Sequence, residues 1–224
     1  MKRVLFVILV TVFFSIRILG TPQTPDNIIY NGIIYKLLHV YPMESFLKKH
    51  PDKHPKKDLF FTSTALSRGY LATFEIKGNQ LYLKDIIINT VDSTSNSKDY
   101  VKIQKSVMSE VFPNQTLVKI NWVTGLFVLP AGKKIEGPKA YVDYSSTYEK
   151  YIVLEMEKGI LKREKELSYS EYEIFRQEQF EAFKKTDEYE KIKANLLKKR
   201  FTEKDINELV QYQIFEYSSK ILVE

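Results

Sequence analysis

RGYLATFEIKGNQLYLKDIII, residues 68 to 88, alternates apolar and polar side chains and contains its own reversal. Gly78-Asn79 predicts a two-residue type II′ turn with Gly first, which pairs Lys77 with Gln80 and sets every cross-strand pair above it. On that register Ile76 meets Leu81, Phe74 meets Leu83, Ala72 meets Asp85 and Tyr70 meets Ile87 on one face. Glu75/Tyr82 and Thr73/Lys84 fall on the other. One face is apolar, one is wet, and a sheet can be built around the hairpin.

Asp85 breaks the pattern. The register puts it on the apolar face opposite Ala72, and Arg68 shares that parity two residues before Tyr70. A buried carboxylate needs a partner, because unpaired burial raises its pKa and neutralises it. Three readings follow: a structural pair with Arg68 or another cation, a frayed exposed strand end, or a functional pocket. Arg68 and Asp85 are the binding candidates.

Outward from the hairpin, Asn27 to Leu38 (NIIYNGIIYKLL) reads as a second hairpin, its Asn31-Gly32 turn aligning Tyr30 with Ile33. Pro42 opens a short helix that ends before Pro51. Leu59 to Thr64 can form a further strand, and Thr90 to Lys98 is a polar loop. Tyr100, Ile103, Val107 and Val111 recur at helical steps, which predicts an internal helix from Asp99 to Pro113. In Leu117 to Pro130 a reversal at Thr124-Gly125 would set Trp122 opposite Phe127 and Ile120 opposite Leu129, with the lone Trp as a core anchor. Strands from Tyr151 to Met156 and from Ile160 to Glu166 flank Lys158-Gly159.

At Ser168 the period changes from two to about 3.6. Ser168 with Glu171 forms a capping box, and Tyr172, Phe175, Phe180 and Phe183 cover one helical face. Tyr189, Ile192 and Leu196 mark a second helix, and Thr202 with Asp205 caps a third. The fold class is α+β: an antiparallel sheet built from hairpins with one internal helix, followed by a C-terminal run of helices. The division is a signal peptide at 1–20, a strand-rich body at 21–167, and a helical segment at 168–224 packed on the body or extending from it.

The first twenty residues, MKRVLFVILVTVFFSIRILG, have the order of a secretory signal: a Lys-Arg start, an apolar run from Val4 to Phe14, and a small residue at Gly20. Arg17 and Ile18 run against a standard cleavage site, and the alternative is an uncleaved anchor. The run is shorter than the roughly 20 apolar residues of a spanning helix, so no stable membrane span is expected after removal of the leader. Export to the periplasm, the envelope or the medium is the expected localisation, and the mature chain begins near Thr21.

With no cysteine in 224 residues, disulfides, thiolate metal sites and cysteine catalysis are excluded. The formal net charge of +6 owes half its value to Lys2, Arg3 and Arg17; without them 31 basic residues face 28 acidic ones. Basic and acidic residues are interleaved, which argues against a nucleic-acid partner. His50-Pro-Asp52-Lys-His54 has metal-binding chemistry, but Pro51 and Pro55 forbid the helix that would align its ligands, and Lys53, Lys56 and Lys57 repel a cation. No metal or other cofactor is implied. Ser63, Ser67, Ser145 and Ser146 lack a nucleophile motif, and only His39, His50 and His54 could act as base. The reading is an exported, non-enzymatic binding or interaction protein whose partner, another protein for instance, the sequence does not name. The alternative is an extracellular hydrolase with a carboxylate- or serine-based site near Arg68 and Asp85.

Overall fold

In the computed structural model, residues 23–55, 63–91, 102–136 and 147–224 are described. The leader segment, the Ser145-Ser146 loop, most of the Leu59 to Thr64 strand and most of the Thr90 to Lys98 loop lie outside them.

Three tight turns organise the strands. Asn31-Gly32, Gly78-Asn79 and Lys158-Gly159 all have positive φ at both central residues, the type I′ signature. Gly78-Asn79 is therefore type I′ and not the type II′ expected, with the same two-residue register. These turns join β1 (Asp26–Tyr30) to β2 (Ile33–Leu37), β3 (Leu71–Lys77) to β4 (Gln80–Val91), and β8 (Thr147–Glu157) to β9 (Ile160–Ser168). With β5 (Lys102–Ser106), β6 (Val118–Lys119) and β7 (Gly125–Glu136) they form one nine-stranded sheet in the order β2-β1-β3-β4-β9-β8-β7, with β5 and β6 also on β4.

The sheet is mixed, which corrects the all-antiparallel expectation: β1 runs parallel to β3, with Ile28 beside Phe74. β2 takes one edge of β1, the chain passes through α1 (Pro42–Lys49), and β3 docks on the other edge in the same direction as β1. The sheet then curls until Leu38, just past β2, donates its N–H to Val128 of β7 at 3.0 Å. Its two ends meet there.

At the centre the tips of two hairpins interlock. Leu81 donates to Gly159 O at 2.8 Å, and Leu161 to Asn79 O at 2.7 Å. A Cβ at Gly159 would lie 1.9 Å from the Ile120 carbonyl oxygen, so only glycine fits.

The internal helix is largely replaced by strand. Residues 102 to 106 pair with β4, Ile87 facing Ser106 and Val91 facing Lys102, and only α2 (Met108–Val111) is helical. The open edge of β4 supplies a ladder of backbone partners, and that long-range pairing overrides a short helical period. The expected hairpin at Thr124-Gly125 is also absent. Val118 and Lys119 pair with Leu83 and Tyr82 of β4, while β7 pairs with β8. Trp122 packs against the core, its indole N–H donating to Pro42 O at 3.0 Å and its ring 4.9 Å from Phe46.

Two apolar clusters lie on opposite faces of β7 and β8. Phe127, Leu129, Ile152 and Leu154 join Ile28, Phe74, Leu81, Leu83 and Ile86 inside the curl. Leu126, Val128, Tyr151 and Val153 face the helical layer of α3 (Tyr169–Phe183), α4 (Asp187–Lys198), α5 (Glu203–Tyr212) and α6 (Ile214–Tyr217). Burial on both faces accounts for the unbroken apolar run Leu126-Phe-Val-Leu129. Both caps form as expected: Ser168 and Glu171 make a reciprocal box at the start of α3, and Thr202 and Asp205 do so at α5. No described helix is long and apolar enough to cross a membrane.

Candidate functional site

The hairpin follows the expected register from Lys77/Gln80 to Phe74/Leu83, and then Lys84 is inserted as a bulge. Thr73 faces Asp85 and Ala72 faces Ile86. This one-residue slip is a correction: it turns Asp85 off the apolar face and puts Ile86 and Ile88 into the core. Asp85 is half-buried. Its Oδ1 accepts from the Ile86 N–H at 2.8 Å and the Ser106 hydroxyl at 2.6 Å.

Arg68 does not pair with Asp85. It is buried, 8% exposed, and its partner is Asp26, 0% exposed, at 3.0 Å. Parallel docking of β1 on β3 sets Asn27 beside Thr73, so Asp26 lies level with Ala72 and its Oδ1 also takes the Ala72 N–H at 2.9 Å. A second bond runs from Arg68 Nη2 to Thr24 O at 3.0 Å. The guanidinium carbon lies 3.9 Å from the centre of the Tyr41 ring and 5.5 Å from that of Tyr70, where the ring faces attract the cation. The Tyr70 hydroxyl donates to Glu44 Oε1 at 3.2 Å, in the first turn of α1.

Burial dominates the electrostatics of this cluster. Removal from water pushes the Asp26 carboxyl up to about 6; Arg68 and the Ala72 N–H pull it down, and Glu44 adds to the rise. The Tyr70 phenol is raised well above its ordinary value, first by burial and then by Glu44 and Asp26. Asp26 Oδ2 and Arg68 Nε and Nη1 are buried without a hydrogen-bond partner. The arrangement ties the start of β1, the approach to β3 and the N-terminal end of α1 into one unit, and its charged atoms are enclosed. The sequence held a signal for Asp26: the Asn31-Gly32 register gives it the inward parity of Ile28 and Tyr30.

Histidines of the His50 to His54 loop serve different rings. His50 packs on Phe46 at 4.5 Å and His54 stands edge-on to Tyr70 at 6.0 Å. Among the described residues no three His, Asp or Glu side chains gather as metal ligands.

An accessible cleft lies elsewhere, where the curled sheet meets the helical layer. It has a volume of about 220 Å³ and is lined by His39, Thr147, Tyr151, Tyr169, Tyr172 and Arg176, among others. Tyr169, Tyr172, Glu173 and Arg176 stand at i, i+3, i+4 and i+7 of α3, on one helical face, and the Ser168 cap sets where that face begins. Tyr151 and Tyr172 form the floor, stacked at 4.0 Å and 14°. Burial raises both phenols above their ordinary value. The Tyr148 N–H donates to the Tyr151 hydroxyl at 3.1 Å, which fixes that ring. Tyr169 and Tyr212 remain 41% and 56% exposed at the rim. His39, held at φ 66° just past the Leu38–Val128 bridge, closes one side. The cleft combines aromatic faces, hydroxyls, a guanidinium and a carboxylate, which suits holding a small polar ligand. Sequence reading missed it because its residues come from four separate segments; the i, i+3, i+4, i+7 set on α3 was the legible part.

Comparison with protein-family models, with curated proteins and with solved structures finds no match to this chain.

Proposed function

We propose that this chain is an exported binding protein whose ligand occupies the cleft between the sheet and the helical layer. The observation that carries the reading is the accessible, tyrosine-lined cleft with Thr147, Glu173 and Arg176 among its walls. Arg68 and Asp85 enter this reading as parts of the scaffold. Arg68 is enclosed with Asp26, and Asp85 is engaged by Ser106 and the Ile86 amide. Export rests on the basic start and apolar run of the first twenty residues.

Ligand-observed NMR with a library of small polar compounds and short peptides tests the site. Binders whose signals are lost in Tyr212→Ala and in Arg176→Ala are expected. A library without any binder sensitive to these changes refutes the reading. N-terminal sequencing of protein from its native host tests export: a chain beginning near Thr21 is expected, and an intact Met1 on cytoplasmic protein refutes it.

A further inference from the structure

We infer that the ligand of this cleft is a neutral saccharide, with one pyranose-sized ring inside and neighbouring units lying over the rim; the inference rests on the cleft being the binding site. Charge balance is the first argument. Among the lining residues Arg176 Nη2 lies 3.3 Å from Glu173 Oε2, so the guanidinium and the carboxylate of the cleft neutralise each other. A ligand of net charge would meet cationic and anionic groups already matched to each other, and its own charge would be desolvated without a counter-charge. A neutral molecule rich in hydroxyls meets both donors and acceptors: the guanidinium, the carboxylate, Thr147 and the tyrosine hydroxyls.

Size is the second argument. About 220 Å³ is less than the roughly 300–1,000 Å³ of pockets that enclose drug-sized ligands, so the space fits a single ring-sized unit. Tyr169 and Tyr212 stand exposed beside it, and their flat faces offer platforms to the C–H faces of further sugar rings. A peptide added to the sheet as a further strand fits less well, because that mode of recognition uses an open ladder of backbone groups. Here the Leu38 N–H already donates to Val128 O. The polar groups facing the cleft belong to side chains with planar or hydroxyl ends, the complement of a ring of hydroxyls.

Isothermal titration calorimetry of the full chain with neutral oligosaccharides tests this, using β-1,4-glucan, α-1,4-glucan, mannan and chitin hexamers, an acidic uronate hexamer and a set of short peptides. At least one neutral hexamer is expected to bind, with an affinity that changes less than twofold between 50 and 500 mM salt. Tyr212→Ala and Tyr169→Ala, both at exposed rim positions, are each expected to weaken it tenfold or more while circular dichroism and thermal midpoint stay unchanged. Binding only of the uronate, or only of peptides, with sensitivity to Tyr212→Ala overturns the saccharide inference and leaves the binding cleft standing. Saccharide binding unaffected by both rim changes overturns the placement. No binding by any of these ligands overturns the saccharide inference, and if the wider library also gives no cleft binder, the site reading falls with it.

Discussion

Two buried polar centres hold the two ends of the described chain, and they do so by different chemistry. Near the start, the Asp26–Arg68 pair and the half-buried Gln23 fasten residues 23–26 to the Thr64 to Ala72 stretch. Near the end, Gln179 of α3, 0% exposed, grips the last segment: its Nε2 donates to Ser218 Oγ and to Lys220 O, both at 2.7 Å, and its Oε1 accepts from the Leu222 N–H at 2.9 Å. The amide uses both donors and its acceptor and carries no charge inside. The ion pair leaves three polar atoms without a partner, and burial raises the Asp26 pKa in spite of Arg68. A buried neutral amide matched to main chain is a tie that ignores pH, whereas a buried ion pair is one that depends on it.

The largest expected effect comes from removing one charge. Arg68→Met strands Asp26 and should lower stability by about 3–5 kcal/mol at pH 7, measured by urea denaturation. The loss should shrink as pH falls toward 6, because Asp26 without Arg68 takes up its proton at a higher pH than in the unaltered protein. Adding Asp26→Asn should recover part of it; a double variant no better than the single one would show that the two side chains act separately.

Next in size is the pH dependence of the unaltered protein. Asp26 has a folded-state pKa of about 6, raised from 3.8, so its contribution is fully present below pH 3.8 and is lost as pH rises through 6. The difference corresponds to about 3 kcal/mol, and Asp26→Asn should remove that part of the slope between pH 4 and 7. An unchanged slope would place the titration elsewhere.

Gln179→Leu should cost about 1–3 kcal/mol by leaving the Leu222 amide unmatched and the Lys220 carbonyl with the Ser218 hydroxyl alone. Unlike the Arg68 variant, it should show the same loss at pH 5 and pH 8, with faster hydrogen exchange at Leu222. The smallest effect is expected at Gln23, whose amide also makes three hydrogen bonds, to Thr64 O and to the Ser67 N–H and hydroxyl, but in exposed surroundings. Gln23→Ala should cost less than about 1 kcal/mol, because water replaces each partner. Equal losses at Gln23 and Gln179 would show that burial is not what separates the two amides.

How far the chain could be read follows the range of each interaction. The Gly78-Asn79 pairs held for four steps because a two-residue turn sets its own register. They failed at Lys84, where a bulge trades one ladder position for the burial of Ile86 and Ile88 in place of Asp85. The helix expected from Asp99 gave way for the same kind of reason, since the edge of β4 offered pairing that the local period could not reveal. Arg68 was marked by its parity, but its partner sits 42 residues upstream on a strand reached only by parallel docking.

Local chemistry in the sequence determined the two-residue hairpins at Asn31-Gly32 and Gly78-Asn79, the capping boxes at Ser168 and Thr202, and the aromatic face of α3, because each is decided by residues within one turn or one helical face. Tertiary structure alone decided the parallel edge of β1, the bulge, the Asp26–Arg68 pair, the Gln179 clasp and the cleft. Each of these depends on which distant surfaces meet, and that choice is made by burying apolar area and matching polar groups across the whole molecule.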